Sequence, residues 1–296
     1  MIMENTMEKY KQGLVSVVIP TCNRGELFYK AIESVLNQTY QNVEVIIIDD
    51  NSDGPLHLEQ YDSHPINIIY HKNSENLGGA ISRNKGASLG RGEFVCFLDD
   101  DDTYLPNKLS LLVSELNADK SLDAIFGRVI RASNPERPTD MSFTDANGII
   151  SGLKSISYLH TNTSLIRHES FDRIKFDEEL GKFQDTQLHI ELVNKCKCKY
   201  IDENVATWFD NHGNGQVTDM KDIGQYYRSI DNFTKLKNNL RKRNSISYFE
   251  YKKMAFDLSK MKVKCCLKFY NNNVELNLFE KNVLSVLKLR RSLFCK

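Results

Sequence analysis

The chain has 296 residues, 41% of them hydrophobic and 26% charged, a composition that sustains a large core and argues against a disordered or fibrous protein. Formal net charge is zero, yet from Lys235 to Lys296 sixteen Lys and Arg stand against four Asp and Glu, so a basic end balances an acidic remainder. Seven cysteines, an odd number without a CxxC spacing, argue against a zinc site or a disulfide framework and suit a reducing cytoplasm.

The opening "MIMENTMEKYKQG" lacks the apolar stretch of a signal peptide, and no run approaches the ~20 apolar residues of a membrane-spanning helix. "LVSVVIP" then predicts a buried strand ended by Pro20. "RGELFYKAIESVLNQTY" predicts a helix with Leu27, Ala31, Ile32, Val35 and Leu36 on one face. "NVEVIIIDD" reads as a second buried strand closed by the turn "DDNSDG", and "INIIYHK" as a third. "NLGGAISRNKGASLG" predicts a glycine-led helix, "EFVCFLDD" a fourth strand, "PNKLSLLVSELNA" a helix with Pro106 in its first turn, and "LDAIFGRVIRA" a fifth strand. Residues 132–150 read as loop or edge strands, "TNTSLIRHESF" as a strand and a turn, and "DTQLHIELVNKC" as a helix. Beyond residue 220 the pattern is helical and rich in lysine.

Strands alternating with helices predict an α/β fold with a doubly wound, mostly parallel sheet. Such sheets bind ligands beyond the carboxyl ends of their strands. Thr21, Asp49–Asp50 and Asp99–Asp102 all fall just past such ends. Four consecutive aspartates repel one another, and a divalent cation would relieve the repulsion. A solvated acidic turn capping the helix after Pro106 would relieve it too.

"VSVVIPTCNRGELFYKAIESVLNQTYQNVEVIIIDDNSDG" and "ENLGGAISRNKGASLGRGEFVCFLDDDD" resemble the opening segments of glycosyltransferase family 2, closely over about residues 14–110 and loosely over 111–220. The resemblance implies a GT-A fold, a UDP-sugar donor, Mn²⁺ or Mg²⁺, and transfer with inversion. "Asp99-Asp100-Asp101" matches the family's DxD element, with Asp101 the implied metal ligand and Asp99 and Asp100 on the donor side. Asp50 matches the position that accepts from uracil N3–H. Pro20, Thr21, Asn23 and Arg24 would shape the base pocket, and Arg83 matches a recurrent arginine near the diphosphate. In "GKFQDTQLHIEL" the family usually has Glu-Asp; here Gln184 departs and Asp185 matches the catalytic base. His212, in "WFDNHGNGQVT", matches a histidine that approaches metal or phosphate.

These residues imply an inverting glycosyltransferase moving a hexose or N-acetylhexosamine from a UDP-sugar to a saccharide. The implied acceptor is linked to a polyprenyl diphosphate, as in bacterial surface polysaccharide (O-antigen or capsule) synthesis. The enzyme would be cytoplasmic and peripheral on the inner membrane face. Residues 1–220 would form the catalytic domain, with a nucleotide-sugar half over 14–131 and an acceptor half over 132–220. Residues 221–296 would form a helical basic extension that binds an anionic membrane surface; no motif accompanies its charge to suggest nucleic acid. Two readings compete. "DDDDT" also satisfies the D-x-D-x-T pattern of haloacid-dehalogenase-type phosphatases at Asp99 and Asp101, but that leaves the first two strand tips unexplained. A non-catalytic carbohydrate- or membrane-binding protein would have no need of both Asp101 and Asp185.

Overall fold

The computed structural model describes residues 9–136, 142–210, 222–269 and, nearer the C-terminus, 276–278, 280–282 and 285. The chain forms two compact units, Met1–Glu178 with Asp185–His212, and Glu179–Gln184 with Gly213–Lys296.

In the first unit the strands are β1 (Lys11–Thr21), β2 (Val43–Asp49), β3 (Asn67–Lys72), β4 (Gly92–Phe97), β5 (Thr103–Tyr104), β6 (Ala124–Arg131), β7 (Ser164–Arg167) and β8 (Cys198–Trp208). They form one sheet in the order β3-β2-β1-β4-β7-β6-β8-β5. Strands β3, β2, β1 and β4 run parallel; β7 is antiparallel to both β4 and β6, and β5 is antiparallel to β8. The GT-A-type α/β expectation therefore holds, with antiparallel pairing confined to the later strands.

Strands β1, β2 and β4 are buried on both faces, which is why they read as unbroken apolar runs, while the edge strand β3 is half-exposed. Helices α1 (Glu26–Leu36) and α3 (Lys108–Ala118) pack on one face, where Val15, Val17, Val45 and Ile47 point. Helices α2 (Gly79–Leu89), α4 (His168–Ile174) and α5 (Gln184–Lys195) cover the other, over Val18, Ile46, Ile48 and Phe97. Each such side chain, fully buried, contributes roughly 1.5–3 kcal/mol. Gly86 lets α2 approach β1: a Cβ there would meet Val18 Cγ1 at 2.3 Å.

Three local expectations are revised. Phe28, not Leu27, is buried with Ala31, Ile32, Val35 and Leu36, because positions 28, 31, 32 and 35 keep helical spacing. Residues 164–174 make β7 and then the helix α4 where a turn was expected. Strands β5 and β8 were not anticipated; β5 is two residues long, and the exposed Glu203 and Asn204 interrupt the apolar pattern of β8.

The second unit contains α6 (Ile223–Lys242) and α7 (Tyr248–Phe269). A capping box, in which Asp222 accepts from Gln225 N–H, starts α6. Tyr226, Ile230, Leu258, Val263, Cys265 and Cys266 form its small core.

Candidate active site

The parallel register places the ends of β1 and β2 side by side, with Thr21 opposite Asp49. Asp50 N–H donates to Thr21 O at 2.7 Å, and the chain after β4 turns into the same rim. Thr21, Asp50 and Asp99–Asp102 thus share one edge, as the strand order predicted.

Each aspartate of the run has a protein partner, Asp100 and Asp101 sharing Arg24. Asp99 pairs with Arg83 Nη2 at 2.5 Å. Asp100 accepts from Thr21 Oγ1 at 2.7 Å and from Arg24 Nε at 2.9 Å. Asp101 lies 3.0 Å from Arg24 Nη2. Asp102 accepts from the Asn162 side-chain amide and, at 2.9 Å, from Phe209 N–H. The like-charge repulsion is therefore relieved largely by protein donors and cations. Burial pushes the Asp99 carboxyl up, but the Arg83 charge and its hydrogen bond outweigh this and leave it below the usual range. Asp102 lacks such a cation, and burial together with the Asp99 charge pushes it up to about 8.

Asp50 is buried and accepts from Asn73 Nδ2 and Leu77 N–H, both at 2.9 Å, and from Gly78 N–H at 2.7 Å. Its carboxylate organises the turn into α2, where Gly78 adopts φ +86°, a conformation that favours glycine. Asn23, also at positive φ, knits this rim together by accepting from Asp53 N–H at 2.8 Å and donating its own N–H to Ser52 Oγ at 2.9 Å. Pro20 lies half-buried beside Thr21 in β1.

Asp185 stands in the first turn of α5. Its Oδ1 is buried, and the neighbouring Thr161 hydroxyl acts on the carboxyl to lower its pKa but lies outside hydrogen-bond geometry. Burial raises the Asp185 pKa; the nearby Arg83 charge opposes this and the Asp99 charge adds to it. A half-buried carboxylate with a raised pKa and a buried oxygen outside hydrogen-bond geometry has the properties of a general base. His212 lies outside the described residues.

Four contributors escaped sequence reasoning. Asn162 bridges the aspartate run, its Oδ1 accepting from Asp99 N–H at 3.0 Å while its amide reaches Asp102. Fully buried Lys108 donates to Asn162 O at 2.8 Å and lies 3.3 Å from the Tyr104 ring centroid. His160 feels the charges of Asp99 and Asp185, although burial keeps its pKa low. Thr161 is the fourth. Apart from Tyr104, their partners lie 24 to 63 residues away in the chain, and no local spacing signals them. His189 proves to be a core residue, packed edge-on against Phe126 and held neutral by burial at a pKa of about 3.

An acidic rim beyond the ends of parallel strands, with the Asp185 carboxylate in electrostatic reach of it, is a ligand-binding arrangement of open α/β sheets. Residues 16–175, more than half of the chain, match the model of glycosyl transferase family 2, and the chain belongs to that family. It is 41% identical over 210 residues to an Escherichia coli K12 protein named as a candidate colanic acid biosynthesis glycosyl transferase, WcaA, covering 69% of this chain and 75% of that one. Among solved structures, Staphylococcus aureus TarS 1–349 in complex with UDP-GlcNAc superposes with a TM-score of 0.64 at 18% identity, covering 91% of this chain and 78% of that one. This chain spans 46% of the longer TarS chain. The mannosyltransferase PcManGT of Pyrobaculum calidifontis, in complex with GDP-Man and Mn²⁺, gives a TM-score of 0.58 at 15% identity, with 95% and 81% covered. These likenesses establish the GT-A-type fold, and the family makes the chain a glycosyltransferase.

Proposed function

We propose that this glycosyltransferase inverts configuration, moving a hexose or N-acetylhexosamine from a UDP-sugar to a saccharide carried on a polyprenyl diphosphate in surface-polysaccharide assembly. The observation that carries the reading is Asp185: a half-buried carboxylate of raised pKa, with a buried oxygen outside hydrogen-bond geometry, beside the Arg83–Asp99 pair. Asp185 takes the proton from the acceptor hydroxyl while that oxygen attacks the anomeric carbon from the face opposite the nucleotide. Arg83 faces the negative charge that grows on the departing diphosphate. Thr21, Asn23, Arg24 and Asp50 shape the pocket for the base. A UDP-bound relative in structure and a colanic acid relative in sequence support the donor and the pathway class.

Among the described residues no group of three or more His, Cys, Asp or Glu could hold a metal ion. Mg²⁺ or Mn²⁺ needs only one or two carboxylates where substrate phosphates complete its shell. Asp101, partly open at 20% side-chain exposure, would hold it, with His212 as a further candidate. The ion would supply charge neutralisation on the diphosphate.

We place the enzyme on the inner face of the cell membrane. No helix among the described residues is long and apolar enough to cross a membrane. In α7, Phe249 and Phe256 are 79% and 49% exposed, at helical spacing from exposed Lys252, Lys253 and Lys260. Aromatic and basic side chains on one helix face suit an anionic surface. The apolar-basic segment 282–294, expected to contribute, lies mostly outside the described residues.

The test is a panel of UDP-, GDP- and CDP-sugars scored for nucleotide release with Mn²⁺ and with EDTA, followed by NMR of the product anomer. Metal-dependent release from a UDP-sugar and an inverted product are expected. Release from GDP-sugars alone, or a product with the donor's configuration, overturns the reading.

A further inference from the structure

Next to the base the first unit contains a cleft of about 380 Å³, within the size of small-ligand pockets. It runs between the outer half of β6, the end of β8 and residues 157–160. His160 lines it and also lies in the electrostatic reach of Asp185 and Asp99, so the cleft opens beside the proposed base. Trp208 forms part of its wall, with its ring 5.4 Å from that of His160. The residue after it, Phe209, is tied to Asp102. Acidic rim and cleft are therefore one continuous piece of structure.

The lining has a one-sided charge. Arg128 and Arg131 contribute to it, and no carboxylate does among the described residues. Arg131 lies over Trp208, its guanidinium carbon 4.3 Å from the ring centroid, and its nearest acid, Asp210, is 4.0 Å away. Such stacking leaves the edge of the guanidinium open to an incoming oxyanion. Arg128 reaches Asp202 through Nη2, while its Nε is buried without a hydrogen-bond partner. An unsatisfied buried donor of this kind costs free energy unless a ligand engages it. Arg131 differs from the rim arginines, each of which faces an aspartate at 2.5–3.0 Å, whereas Arg128 shares their pairing and differs in its cleft-lining position.

We propose that this cleft is the acceptor subsite and that it selects an anionic acceptor, whose oxyanion is bound by Arg128 and Arg131 while a sugar hydroxyl is presented to Asp185. Two sources share that chemistry: the diphosphate of a lipid-linked saccharide, and the carboxylate of a uronic acid residue. The proposal rests on the glycosyltransferase reading above and names the acceptor class for that same site.

The experiment is equilibrium binding to the full chain, by calorimetry or saturation-transfer NMR, with four probes. Farnesyl-diphospho-N-acetylglucosamine is compared with octyl N-acetylglucosaminide, and p-nitrophenyl β-D-glucuronide with p-nitrophenyl β-D-glucoside. In at least one pair the anionic member binds about tenfold tighter, and the pair that shows it identifies the source. The preference is lost in Arg131→Gln and Arg128→Gln and retained in Arg131→Lys, whose charge survives. Thermal melting of each variant shows whether it is folded; if a glutamine variant is not, salt titration of the wild-type preference substitutes, and the preference falls as ionic strength rises. Equal binding of anionic and neutral probes, or a preference that survives both glutamine variants or high salt, overturns the proposal. UDP titration of the wild type is read separately: a chain that fails to bind UDP sinks the donor reading, whereas one that binds UDP and ignores probe charge sinks only the cleft.

Discussion

Arg24 holds Asp101, the proposed cation ligand, with Nη2 at 3.0 Å from its carboxylate. The same guanidinium also binds Asp100, so a cation approaching Asp101 meets a positive charge already in place. Half-open ion pairs of this type are worth about 1 kcal/mol or less. Arg24→Gln is expected to tighten Mn²⁺ binding to the nucleotide-free chain by up to about fivefold and to weaken UDP binding. Competition for Mn²⁺ followed by electron paramagnetic resonance measures the first, calorimetry the second. Unchanged or weaker Mn²⁺ binding would show that Arg24 does not compete with the ion.

As the proposed base Asp185 would act only when ionised, and its pKa is raised by burial. Activity therefore rises with pH through a limb displaced above the ordinary carboxylate range. Asp185→Asn keeps the shape, loses the proton acceptor, and lowers turnover by about 10²–10⁴-fold with UDP affinity unchanged. The acidic limb disappears from the residual activity. A pH profile of kcat/KM for both chains checks this; near-normal transfer by the variant would move the base elsewhere, with Glu178 and Glu179 the next candidates.

Asn162 is the clamp of the acidic run: it accepts from Asp99 N–H and donates to Asp102. Asn162→Ala leaves both buried groups without this partner, at a cost of about 1–3 kcal/mol. The loss is read from the urea unfolding midpoint. Donor affinity falls as well, because Asp99 and Asp102 are no longer fixed. A variant with wild-type stability and UDP affinity would reduce Asn162 to a bystander.

The acidic rim was legible because its residues sit at strand ends, and strand ends are read from apolar runs. "SVVIPT", "VIIIDD" and "FVCFLDDDD" each place a polar residue where the buried run stops, and the structure brings those tips together. The cleft-lining half was not legible. Strand β8 carries Tyr200 and Trp208 to the cleft wall, but exposed Glu203 and Asn204 break its pattern. His160, Thr161 and Asn162 sit in one short turn with no periodicity, and their importance comes from contacts with Asp99, Asp102 and Asp185. A charge run states that relief is needed; it does not state that Arg24, Arg83 and Asn162 provide it.

Lys108 supplies the last prediction. It has no exposed surface, it donates to Asn162 O at 2.8 Å, and burial lowers its pKa to about 7. In the unfolded chain the same amine titrates near 10.5. Between these values the unfolded state binds more protons than the folded one, so this residue makes stability rise with pH from about 7 to about 10.5. From pH 7 to pH 9 its contribution is on the order of 2 kcal/mol. Lys108→Met, similar in length and apolar, removes the titration and the hydrogen bond together. The variant is therefore expected to lose ground to the wild type as pH rises, with the gap between their urea midpoints widening from pH 7 to pH 9. A gap that stays constant over that range would mean the amine remains charged in the fold, balanced by the Asn162 carbonyl and the Tyr104 ring.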